Sequence, residues 1–164
     1  MARTRVYRNG TLEAEDFPVA DVSEHLDRPD TVIWVDLCGP SKELLHELAD
    51  ELGLHERAVE DALGSHQRPK LDHYATHLFL SCHAVRVDQA KGTLDATEID
   101  AFINKRWLIT IRKDDGFSMD PVTQRWDRSP DLCAYGVSFL LYGLLDVIVD
   151  GYFETVQAFD AYYD

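Results

Sequence analysis

Residues 31–37, Thr-Val-Ile-Trp-Val-Asp-Leu, form a run dominated by β-branched and aromatic side chains, and beyond Gly39-Pro40 the pattern changes to leucines three or four apart. The first pattern is that of a strand. In the second, Ser41 stands where a helix N-cap is expected, Leu44, Leu45, Leu48 and Leu52 fall on one face, and Gly53 is the stop. A strand that hands over directly to an amphipathic helix has to bury the helix stripe against the sheet, so the chain is predicted to be of the α/β class.

The other segments fill in that layout. Residues 5–7 and 11–13 flank Asn9-Gly10 and read as a hairpin at a sheet edge, because Asn-Gly accepts the positive φ values of a type I′ turn. A short helix is predicted over residues 55–63, ended by Gly64 and followed by His66-Gln67-Arg68-Pro69-Lys70. Residues 74–87, 97–103 and 107–112 read as three antiparallel strands, separated by turn-prone residues 88–92 and by Asn104-Lys105. After Pro121 a short helix reaches about Trp126, and from Asp131 a long helix is predicted to run to the last residue. Its apolar stripe is Leu141, Leu144, Leu145, Ile148, Tyr152, Val156 and Phe159. No cap follows Asp164, so the helix is expected to continue in a longer chain.

Composition narrows the function. With 45% hydrophobic and 28% charged residues, the 164-residue chain is globular and large enough for one real core. Thirty Asp and Glu against sixteen Lys and Arg give a net charge of −14, which repels a phosphate backbone and attracts cations. No nucleic-acid partner is expected. Cys38, Cys82 and Cys133 are far apart and odd in number, which suggests neither a disulfide framework nor a thiolate zinc site. The three arginines within residues 1–8 precede no apolar segment, so no signal peptide is expected. The most apolar window, residues 136–149, contains Asp146 and falls short of the roughly 20 residues a spanning helix needs.

Asp146, Asp150 and Glu154 are four apart and stack on one helical face, where like charges repel. Spacing alone reads this as a solvated face; the functional alternative is a hard divalent cation held by carboxylate oxygens, often through water. Glu60 and Asp61 form a second acidic pair, suited to one ligand and one supporting group. His73, His77, His83 and Cys82 resemble zinc ligands by type, but on one strand His73 and His77 are roughly 13 Å apart, too far for one metal. The expectation is that they pack or hydrogen-bond. No Ser-His-Asp order, Gly-rich phosphate loop, HExxH or GxSxG occurs, so no catalytic residue is assigned.

Three stretches together resemble the N-terminal cytosolic domain of the CorA-type magnesium/cobalt transport protein family. They are Val59-Glu60-Asp61 leading into His66-Gln67-Arg68-Pro69-Lys70, then Asp120-Pro121-Val122, then Leu140-Leu141-Tyr142 through Asp146, Asp150, Tyr152 and Phe153. The resemblance covers roughly residue 31 to the end. It implies an α/β/α sandwich with a mostly antiparallel or mixed sheet, an α/β domain over residues 1–130, and C-terminal helices over 131–164 that pack on it and begin a stalk. It also implies a homopentamer on the cytoplasmic face of the cell membrane, attached through segments beyond Asp164. The family's Gly-Met-Asn pore signature is absent from these residues. In the family, carboxylates between adjacent cytosolic domains bind regulatory Mg2+ and hold the gate closed. By position the matching metal ligands here are Asp61, with Glu60 and Asp146 nearby, and Co2+ is the alternative ion. A related zinc transporter, or an oligomerisation module without a sensing role, is the competing reading. A hydrolase using Glu60, Asp61 and His66 has no recognisable catalytic order behind it.

Overall fold

The computed structural model describes residues 1–64 and 67–163. Among these residues, seven strands run as β1 (Ala2–Arg8), β2 (Thr11–Glu15), β3 (Thr31–Cys38), β4 (Lys70–His73), β5 (Leu78–Asp88), β6 (Thr93–Ile103) and β7 (Trp107–Arg112). The helices are α1 (Val22–Leu26), α2 (Lys42–Leu52), α3 (Glu56–Leu63), α4 (Asp120–Arg128) and α5 (Val137–Tyr163), with 3-10 turns at Val19–Asp21 and Pro130–Tyr135.

The strands form one sheet in the order β2-β1-β3-β7-β6-β5-β4. Among the described residues β3 and β7 pair in parallel and every other pair is antiparallel, so the sheet is mixed. Alternation along the strands divides the core in two. Ile33, Val35, Leu37, Phe79, Phe102, Ile109 and Ile111 pack against α1, α2 and α3. Trp34, Ile99, Ala101 and Leu108 pack against α4 and α5 on the other face. The architecture is therefore an α/β/α sandwich, as expected.

Local signals explain much of it. The β1–β2 hairpin turns at Asn9 and Gly10, with φ values of 50° and 80°, and β2 is the sheet edge. The Ser41 side chain accepts from Leu44 N at 3.1 Å and opens α2, which ends at Gly53 with φ 72°. Ser41→Ala is expected to cost about 1 kcal/mol of stability, read from the urea midpoint.

Three expectations need correction. Residues 74–87 are not one strand: Tyr74 N donates to His77 O at 2.9 Å, closing a turn between β4 and β5. No helix begins at Asp131, because Pro130–Tyr135 is 3-10 and Gly136, at φ 73° and ψ −143°, breaks the path before α5. The buried line of α5 is also rotated from the predicted stripe. Val137, Leu140, Gly143, Leu144 and Ile148 face the sheet, while Tyr152, Val156 and Phe159 are exposed. This helix is apolar nearly all round, so period alone does not select its inner face. No helix among the described residues is long and apolar enough to cross a membrane.

Candidate metal site

The acidic pair lies on α3. His55 caps this helix: its Nδ1 accepts from Arg57 N at 3.1 Å, and its own N–H donates to His77 Nε2 at 3.3 Å. Ala58, Val59 and Ala62 face the core, which turns Glu60 outward to solvent and leaves Asp61 partly covered. Asp61 is already paired. Lys70 Nζ lies 2.5 Å from Asp61 Oδ2 and 3.0 Å from Asp72 Oδ2, and these two carboxylates, Asp61 first, raise the Lys70 pKa above its ordinary value. An ion pair at the surface whose side chains are still partly open to water is worth about 1 kcal/mol or less, so a divalent cation can compete with Lys70 for Asp61. His66, which opens the sequence motif reaching to Lys70, lies outside the described residues.

Asp146 is on α5, in the opposite layer. Arg125 of α4 pairs with Asp146 and, through Nη2, with Asp150 Oδ2 at 3.1 Å. This cation offsets the repulsion of the stacked carboxylates, and its role is a contact between two helices that spacing within α5 does not reveal. Glu154, next along that face, is exposed. Beside it an open groove of about 800 Å³ runs between the β5–β6 hairpin, the β7–α4 loop and α5, with Asp95, Asp114, Asp115, Asp150 and Glu154 along it.

The sheet thus separates Glu60 and Asp61 from Asp146. Among the described residues no group of three or more His, Cys, Asp or Glu is placed to hold a metal ion. Of the three histidines on this part of the sheet, His73 is exposed, His83 half-buried and His77 buried. His73 pairs with Leu78 across the β4–β5 turn and His83 pairs with Glu98. His77 is buried, stacked on Tyr74 and packed against Phe102 and Trp107; burial first, and His55 second, lower its pKa. His73 and His77 therefore sit on either side of a turn and not along one strand.

A family model described as CorA-like Mg2+ transporter protein matches residues 29–163. The protein YfjQ of Bacillus subtilis strain 168 is 34% identical over 134 residues, covering 81% of this chain and 41% of that protein. The cobalt/magnesium transport protein CorA of Thermotoga maritima is 25% identical over 152 residues, covering 90% of this chain and 43% of that protein. The chain spans less than half the length of either relative. Among solved structures, the soluble domain of CorA from Methanocaldococcus jannaschii matches with a TM-score of 0.65 at 17% identity, over 96% of this chain and 60% of that one. At that identity the likeness shows a shared fold.

Proposed function

Because the chain belongs to the family of CorA-like Mg2+ transporter proteins, we propose that it is the cytoplasmic regulatory domain of a divalent-cation channel, in which Mg2+ bound between adjacent subunits favours the closed state. The family is one of transporters and not of enzymes. The observation that carries the reading is the placement of acidic groups on opposite layers of the sandwich: Glu60 and Asp61 on α3, and Asp146 on α5. Two different surfaces on opposite sides of one subunit suit a head-to-tail ring, in which the α3 layer of one copy meets the α5 layer of the next. On this reading the chain assembles as a homo-oligomer, a pentamer in the intact protein as the family resemblance implies.

The donor chemistry fits a hard ion. Carboxylate oxygens suit Mg2+, or Co2+ in its place, and the exposed Glu60 beside the partly covered Asp61 leaves room for the waters that Mg2+ retains. Glu60 and Asp61 of one subunit and Asp146 of the next would hold the ion, whose charge would cross-link two acidic surfaces. Lys70 and Arg125 are the resident cations at Asp61 and Asp146 otherwise. The closed arrangement gains population by its greater affinity for the ion, and loss of the ion frees the subunits to tilt.

Thermal melting and sedimentation of the chain in Mg2+ test this. Free ion at ten times its dissociation constant is expected to add about 1.4 kcal/mol, a shift of roughly 3–6 °C, together with a larger assembly. Asp61→Ala should abolish both. An unchanged response in Asp61→Ala would favour the second reading, an oligomerisation module without sensing. The ion pairs of Asp61 with Lys70 and of Asp146 with Arg125 are the observation that favours that alternative.

A further inference from the structure

Glu98 and Asp100 alternate with Ile99 along β6 and point to the α3 side of the sheet, yet neither reaches solvent freely: Asp100 is 0% exposed and Glu98 7%. Ser81, opposite Asp100 on β5, is also fully buried. The cation beside them is Lys113, one residue past β7, with Nζ 3.4 Å from Glu98 Oε2 and 3.5 Å from Asp100 Oδ2. Those separations exceed an N–H to oxygen hydrogen bond. The ammonium donates instead to two main-chain carbonyls at the C-terminal end of α3, Ala62 O and, at 2.5 Å, Gly64 O. Glu98 Oε1 accepts from Gln67 N at 2.8 Å. Glu98 Oε2, both Asp100 oxygens and Ser81 Oγ have no aligned hydrogen-bond partner among the described residues.

Two buried carboxylates beside one ammonium leave an uncompensated negative charge if both are ionised, and like charges in one buried site do not both ionise readily. A metal ion would have to displace the Lys113 ammonium, which already fills the oxygen-lined position. A proton removes the excess charge and also supplies the missing donor.

We propose that Glu98 and Asp100 hold one shared proton, and that this proton leaves Lys113 free to anchor the C-terminal end of α3 to the sheet. Burial first, and Glu98 second, push the Asp100 carboxyl up to about 7, against the opposing influence of Ser81 and then Lys113, so the exchange falls in the neutral range and belongs to the pair. With the proton in place, Lys113 caps the last carbonyls of α3, where a cation is favoured by the helix dipole. When it leaves, the second negative charge draws the ammonium toward the carboxylates, and the end of α3 loses its donor. Glu60 and Asp61 lie one turn away on the same helix. The proton site itself stands whether or not they bind a metal.

Among the described residues, charged and titratable groups face the pair from several neighbouring elements. They are Lys113 after β7, His83 opposite Glu98 on β5, Lys70 opposite Ser81 on β4, Asp61 on α3, and the Cys82 thiol on the far face of β5, itself pushed up to about 11 by burial, Asp100 and Glu98. An acid whose pKa is raised on folding stabilises the protein fully below its unfolded value of about 4, and that stabilisation is lost as pH rises through the folded value.

Carbon-13 carboxyl NMR of the chain across pH tests the proposal directly. One carboxyl of the pair is expected to titrate between about pH 6 and 8, and in Glu98→Gln the Asp100 midpoint should fall by about one unit or more. Hydrogen exchange at the Gly64 amide, which donates to Glu60 O at 2.9 Å, reads the anchor. After correction for the intrinsic pH dependence, it should accelerate about tenfold through the same midpoint in the native protein and stay flat in Glu98→Gln. Titration of both carboxyls below about pH 5 would overturn the shared proton. A neutral midpoint with flat Gly64 exchange would overturn the link to α3.

Discussion

Arg112→Met is expected to lower the free energy of unfolding by about 3–5 kcal/mol. Asp36 on β3 is 1% exposed, and Arg112 encloses it: Nε lies 3.2 Å from both carboxylate oxygens and Nη2 is 2.6 Å from Oδ2. Thr110 Oγ1 donates to Asp36 Oδ1 at 2.7 Å and accepts from Trp34 Nε1 at 3.1 Å, while Arg112 Nη1 donates to Phe117 O at 2.5 Å. The network joins the parallel β3–β7 pair to the loop that leads into α4. Methionine fills the space but leaves a buried, unpaired carboxylate, which is where the cost arises. Asp36→Leu combined with Arg112→Met should recover most of the loss, since a packed apolar pair is often as stable as a buried ion pair. Urea unfolding of the single and double variants measures both effects; a single-variant cost under about 1 kcal/mol would mean that water reaches the pair.

Trp126→Ala should cost a similar amount, about 3–5 kcal/mol. Trp126 is fully buried on α4, meets Trp34 edge-on with ring centroids 5.0 Å apart, and donates from Nε1 to Leu140 O at 3.1 Å where α5 begins its contact with the sheet. Its indole fits because position 143 has no side chain. A Cβ there would lie 2.6 Å from Trp126 Nε1. Gly143→Ala, which in an open helix gains about 1 kcal/mol, is therefore expected to cost about 1–3 kcal/mol here. In the Trp126→Ala background the same change should turn neutral or stabilising. Thermal or urea unfolding of the four proteins closes this cycle, and additivity would show that the two residues do not compete for space.

What was legible in the sequence was local. Asn9-Gly10, Ser41 and Gly53 each act on their own turn or helix end, and each works as its residue type predicts. β4 escaped notice because four residues are too few for a period, and its turn at Tyr74–His77 contains no glycine or proline. Glu98 and Asp100 escaped for a different reason. Alternating with Ile99 they read as a strand's solvent face, and only the arrival of α3 and Lys113, from far along the chain, covers them. The same holds at the candidate site. Asp61, Glu60 and Asp146 stand out by type and position, but their counterions divide by distance along the chain. Lys70, nine residues from Asp61, lies within reach of a local reading; Arg125 comes from a separate helix. That the sheet separates the acidic groups follows from which face each helix covers, a tertiary property.

The inner face of α5 ends early. Its buried residues run from Val137 to Ile148 and beyond them only Thr155 is buried among the described residues, while Tyr152 reaches back to the carbonyl of His83. At 1.5 Å per residue the seated part is about 17 Å long and the part beyond it about 22 Å. Beyond Ile148 the helix still lies along the β5–β6 hairpin, with Gly151 beside Val85 and Tyr162 beside Gly92, so a tilt about Ile148 would carry the hairpin with it. Rocking the seated half by about 10° on the sheet would carry Tyr163 some 4 Å sideways, by the same rise per residue. Small repacking around Trp126 and Leu140 would thus be read out, magnified, at the far tip.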